Sequence, residues 1–114
     1  MKYLLQVRFN GADRAMTELP DDELRATVAE FEALGDVPGL LDRNQLQPVA
    51  TAQTVSMVDG ETQVTSGPPE LAAGTLDGYY LLDAPDPEAA VALAQRIPVI
   101  RWGATVEIRP VVER

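Results

Sequence analysis

Twice along this chain the spacing of apolar residues changes from alternate positions to intervals of three and four, and that double switch constrains the fold more than any other feature. Tyr3, Leu5, Val7 and Phe9 alternate with Leu4, Gln6 and Arg8, the period of a strand with one face drier than the other. A turn at Asn10, Gly11 and Asp13 follows, and then Leu24, Val28, Phe31 and Leu34 recur at helical spacing. Asp21, Asp22 and Glu23 stand in the first turn of that helix, where free N–H groups favour negative charge, and Gly35, Pro38 and Gly39 end it. The second switch begins with a tyrosine- and leucine-rich strand, Leu76 to Asp83. Asp86, Pro87 and Glu88 then read as an N-cap, a proline at the first helical position and an acid in the first turn. The predicted helix runs over 87–97, with Ala90, Val91, Ala94 and Ile97 expected on the sheet side and Pro98 as its stop. A last strand is expected from Ala104 to Val111, with Thr105, Glu107 and Arg109 on one face and Val106, Ile108 and Pro110 on the other.

Between the two units, Leu40 to Ala50 mixes apolar and polar residues with Pro48 and predicts a short strand or an irregular edge. A hairpin is clearer: Thr54 to Val58 and Glu61 to Thr65 flank Asp59-Gly60, a pair suited to a two-residue type I′ turn. That turn sets Val58 opposite Glu61, Met57 opposite Thr62 and Val55 opposite Val64, so Val55, Met57, Thr62 and Val64 share a face. Ser66 to Pro69 form a loop, and Glu70 to Thr75 a short irregular or helical piece. The resulting order of strand, helix, hairpin region, strand, helix, strand fits an α+β, ferredoxin-like sandwich, an antiparallel sheet with two helices on one face and an added β-hairpin. The other sheet face is left uncovered, and a second copy of the chain is the expected cover, so a homodimer is predicted.

At 114 residues the chain is expected to form one domain, 1–114, with a single core. Nine basic residues against 18 acidic ones give a net charge of -9, which repels phosphate backbones and anionic lipid, so neither nucleic acid nor membrane is expected as a partner. There is no cysteine and no histidine. Disulfides, thiol nucleophiles, nitrogen–sulfur metal sites and a serine–histidine triad are therefore closed, and no metal or cofactor is expected. The apolar start is broken by Gln6 and Arg8 and reads as a strand rather than a signal sequence, which makes the cytoplasm the expected compartment.

The segment from Asp59 to Val111 resembles the YCII-related family, in particular its DGPF branch. Asp59-Gly60 matches the hairpin turn, Gly67-Pro68 with Glu70 the loop, and Gly78-Tyr79-Tyr80 the strand of that branch. Ile97-Pro98, Gly103, Val106-Glu107 and Arg109-Pro110 match its end, and the start from Met1 to Leu5 and the segment 40–48 extend the likeness over nearly the whole chain. The resemblance implies a dimeric α-β barrel, a cleft between the sheet and neighbouring loops, and an association with extracytoplasmic-function sigma factors. Relatives carry a histidine from the first helix and an aspartate before the final strand; these positions fall near Thr27 and Ile97, neither of which can replace them. Ser66 and Pro69 stand where the branch has the Asp and Phe of its loop.

Without histidine, proton transfer near neutral pH falls to a carboxylate, a tyrosine or Lys2, the single lysine. Glu70, Asp77 and Asp42 are the carboxylates expected nearest the cleft, and Glu70 is the candidate catalytic residue, with loop capping as its structural alternative. Arg8 and Arg43 are candidates to hold a carboxylate ligand, against pairing with nearby acids. Tyr79 and Trp102 are candidate ligand walls, against core or dimer packing, and Ser66 is a candidate ligand contact in the loop. Three readings follow. The first is a small homodimer that binds a small organic molecule in the sheet–helix cleft without a histidine–aspartate pair. The second is a lyase, isomerase or cyclase using Glu70 with Tyr79 or Arg43. The third is a regulatory partner linked to a sigma factor.

Overall fold

The structure, a computed structural model, describes residues 1–9, 18–68 and 74–114. Its main sheet has four antiparallel strands: β1 (Lys2–Arg8), β2 (Leu40–Gln45), β5 (Leu76–Asp83) and β6 (Thr105–Pro110), in the order β2-β5-β1-β6. Helices α1 (Asp21–Leu34) and α2 (Pro87–Gln95) supply the connections β1-α1-β2 and β5-α2-β6. This is the ferredoxin-like arrangement expected from the double switch of period. The turn predicted at Asn10, Gly11 and Asp13 and most of the piece from Glu70 to Thr75 lie outside the described residues.

One face of the sheet carries the core. Tyr3, Leu5 and Val7 of β1 and Tyr80 and Leu82 of β5 are buried there against Leu34 of α1 and Ala90, Leu93 and Ala94 of α2. The α2 helix begins as its sequence predicts, with the Asp86 side chain accepting from the Ala89 N–H at 3.0 Å. Its inward stripe differs in one residue: Leu93 is buried, whereas Val91 is 45% exposed. Ala90, Leu93, Ala94 and Ile97 fall at i, i+3, i+4 and i+7, and Val91 lies a full 100° from the first of them. The segment after α1 resolves into β2 followed by a short 3-10 turn, Val49–Thr51.

Strands β3 (Gln53–Val58) and β4 (Glu61–Ser66) form a separate two-stranded ribbon with the predicted register, Val58 opposite Glu61 and Val55 opposite Val64. Asp59 and Gly60 both have positive φ, 52° and 81°, as a type I′ turn requires. The ribbon's root is closed by the Gly67 N–H on the Ala52 carbonyl at 2.8 Å and the Thr54 hydroxyl on the Gly67 carbonyl at 2.6 Å. Among the described residues, no helix is long and apolar enough to cross a membrane.

Candidate functional site

Two β-bulges shape the helix side of the sheet. Leu40 pairs with Leu82 and Asp42 with Leu81, so Leu41 is an extra residue in β2. The extra residue reverses the alternation beyond it: Leu40 packs inward, Asp42 turns to the open face, and Arg43, opposite Tyr80, comes to the helix side. In β5, Val7 pairs with Gly78 and Arg8 with Leu76, which leaves Asp77 as the extra residue. Both bulges lie beside a cleft of about 440 Å³ between α1 and the β2–β5 half of the sheet. Val7, Val28, Phe31, Ile97 and Val99 make its apolar walls, and Glu32, Arg43, Asn44, Gln45, Asp77 and Tyr80 supply polar groups.

Arg43 is anchored from the sheet to the helix. Its Nη1 donates to the Phe31 carbonyl, and its Nη2 lies where a Cβ on Gly35 would be only 2.8 Å away. The last turn of α1 has no basic residue of its own, so this guanidinium supplies the cation that the negative end of the helix dipole favours. Next to it, the Tyr80 phenol is pushed above the ordinary tyrosine value by burial; the charge of Arg43 lowers it and that of Asp77 raises it. The hydroxyl makes no hydrogen bond among the described residues.

The opposite face of the sheet is open and polar. Tyr79 donates to Asp42 Oδ2 at 2.8 Å and accepts from Asn44 Nδ2 at 2.9 Å. Arg8 Nη2 donates to Gln6 Oε1 at 3.0 Å and lies 4.0 Å from Glu107 Oε2, while Arg109 Nε donates to Glu107 Oε1 at 2.6 Å. Arg8 Nη1 is fully covered and has no partner.

Of the residues singled out from the sequence, Arg43 lines the cleft, whereas Arg8 and Tyr79 stand on the open face. Ser66 ends β4, exposed, opposite Gln53. Trp102 closes the 3-10 turn Pro98–Trp102, half-buried beneath the Arg101 guanidinium, 5.4 Å from the ring centre. Glu70 lies outside the described residues. The structure therefore does not gather Arg8, Arg43, Ser66, Tyr79 and Trp102 into one site. It adds Tyr80, hard to single out because both faces of β5 read as aromatic and apolar, Phe31, which reads as helix core, and Val99, which follows the predicted helix stop. Among the described residues no three acidic side chains converge as a metal site.

A model of the YCII-related domain matches residues 1–114. The chain belongs to the YCII-related family. No curated protein matches its sequence. At the two positions where the resemblance sets the relatives' histidine and aspartate, Thr27 and Ile97 are both buried. The Thr27 hydroxyl accepts from Arg101 Nη2 at 3.3 Å, and Arg101 also forks onto Glu30 at 2.8 and 3.1 Å, a bond that holds the Glu30 carboxyl below its ordinary value. Thr27 is thus tied into an ion pair that links α1 to the final 3-10 turn, and Ile97 is an apolar core residue.

Proposed function

We propose that this YCII-related protein binds a small organic molecule in the cleft between α1 and the sheet, without a histidine–aspartate pair. The observation that carries the reading is the cleft itself: its volume of about 440 Å³ is in the range of small-molecule sites, roughly 300–1,000 Å³, and its walls are apolar with a few convergent polar groups. The bulges favour the same reading, since proteins use them to re-aim side chains at functional sites. The residues Asp59-Gly60, Gly67-Pro68 and Gly78-Tyr79-Tyr80 support a place near the DGPF branch of the family. The test is a two-dimensional amide NMR titration against a panel of small aromatic and carbonyl compounds. Binding predicts saturable shifts confined to residues around Phe31, Tyr80 and Val99; shifts scattered over the surface, or none, overturn the reading.

The proposal extends to a homodimer through the open sheet face. Four strands spaced by about 4.8 Å and six residues long give that face a projected area of roughly 400 Å², and the ribbon's apolar face adds roughly 200 Å². The sum approaches the order of 800 Å² that each partner of a standard interface buries. Sedimentation equilibrium at micromolar concentration is expected to give twice 12.3 kDa; a species of 12.3 kDa alone overturns the dimer.

A further inference from the structure

The cleft's polar groups are unequal in what they have left to offer, and the inequality bears on what the cleft can hold. Among the described residues Arg43 is the one cation on its walls, and Nη1 of that guanidinium is already given to the Phe31 carbonyl. It sits at the C-terminal end of α1, where the helix dipole is negative and repels an incoming anion. Glu32 places a carboxylate on the same wall. An anionic ligand would meet a cation with one nitrogen already given to the helix, a helix end of the wrong sign and a carboxylate.

Tyr80 is the contrary case. The residue is 7% exposed, its hydroxyl has no partner among the described residues, and Arg8 Nη1 is the sole covered side-chain donor or acceptor without one. The phenol oxygen is therefore unsealed, and the space beside it is the cleft. Burial keeps the phenol in the protonated form that donates a hydrogen bond, and an ammonium group, which brings donors only, has nothing to accept it with. A buried phenol with an apolar wall on either side and no acceptor of its own is matched by a ligand that brings a single acceptor and no charge.

We propose that Tyr80 is the recognition group of the cleft, its hydroxyl donating to the carbonyl oxygen of an uncharged, ring-bearing organic ligand held between Phe31 and Val99. The inference rests on the small-molecule reading of the cleft and narrows it to a charge class and a contact. It also assigns the family's second strand tyrosine, rather than Tyr79, to the ligand.

The test uses three probes of one size and different charge, acetophenone, benzoate and benzylamine, titrated into the full chain and followed by amide NMR. Acetophenone is expected to shift resonances around Phe31, Tyr80 and Val99 with an affinity about tenfold above that for benzoate or benzylamine. Tyr80→Phe, which removes one oxygen from a packed ring, is expected to weaken acetophenone by about threefold to tenfold, as loss of one neutral hydrogen bond would, and to leave benzoate unchanged. Val28→Trp, at a 40% exposed site on the cleft's rim, is expected to remove acetophenone binding while the remaining spectrum is retained. Benzoate or benzylamine binding the cleft as tightly as acetophenone, or Tyr80→Phe binding acetophenone as wild type does, overturns this inference and leaves the small-molecule reading standing. If none of the three probes shifts cleft resonances, both fall.

Discussion

At the residue scale, Arg43 and Tyr80 differ in the kind of work each performs. Arg43, a candidate ligand contact on the cleft wall, also caps a helix from another element, and its bond to Phe31 crosses from sheet to helix. Replacing it with methionine keeps the apolar stem and removes the charge from the helix end. Arg43→Met is expected to cost about 1–2 kcal/mol in chemical denaturation, the worth of a charged hydrogen bond at a partly buried helix terminus. A loss under about 0.3 kcal/mol would show that the guanidinium does not stabilise the helix. Tyr80 makes a pH prediction. Its folded-state ionisation is raised above the ordinary 10.0, so its contribution to stability is complete below pH 10 and is lost as pH rises through the folded value. Denaturation midpoints measured from pH 8 to 11 should fall more steeply for wild type than for Tyr80→Phe, which has nothing to ionise there. Parallel curves would mean that the phenol is not buried as described.

Elements divide by how local their causes are. The α2 cap, the α1 acids and the Asp59-Gly60 turn act within four residues, and each was legible in the sequence with its register. The bulges at Leu41 and Asp77 were not, because a bulge is fixed by which strand lies alongside, a fact of the assembled sheet. One extra residue was enough to reverse β2, bringing Arg43 to the cleft and turning Asp42 to the open face beside Tyr79. The same distinction separates two glycines. Gly60 in the ribbon turn and Gly39 before β2 have positive φ, 81° and 86°, but a Cβ on Gly60 meets open space while one on Gly39 would lie 2.1 Å from the Asp83 carbonyl oxygen. Gly60→Ala therefore carries only the left-handed backbone penalty, about 1 kcal/mol, and Gly39→Ala is expected to exceed about 3 kcal/mol because β2 must also move away from β5. Equal losses in urea denaturation would contradict that close approach.

For the molecule as a whole, the ribbon sets the outline. The radius of gyration is 16.1 Å, whereas a compact domain of this length is expected near 13 Å, and the principal extents are 51 × 40 × 20 Å. A two-stranded ribbon is marginal in water by itself, yet this one turns Val55, Met57 and Val64 outward on one face at 64%, 70% and 61% exposure. Those side chains touch little of their own chain, so a charge placed among them should leave the folded protomer almost undisturbed. If a second copy covers them, the same charge acts on association alone. Val64→Glu is expected to change the unfolding free energy of the dissociated protomer in urea by less than about 0.5 kcal/mol and to weaken dimerisation by at least tenfold in sedimentation equilibrium, since a carboxylate buried without a partner in an interface costs more than about 1.4 kcal/mol. Should the substitution lower protomer stability and leave association intact, the ribbon packs on its own body, and the interface is confined to the open face around Leu4, Tyr79 and Leu81.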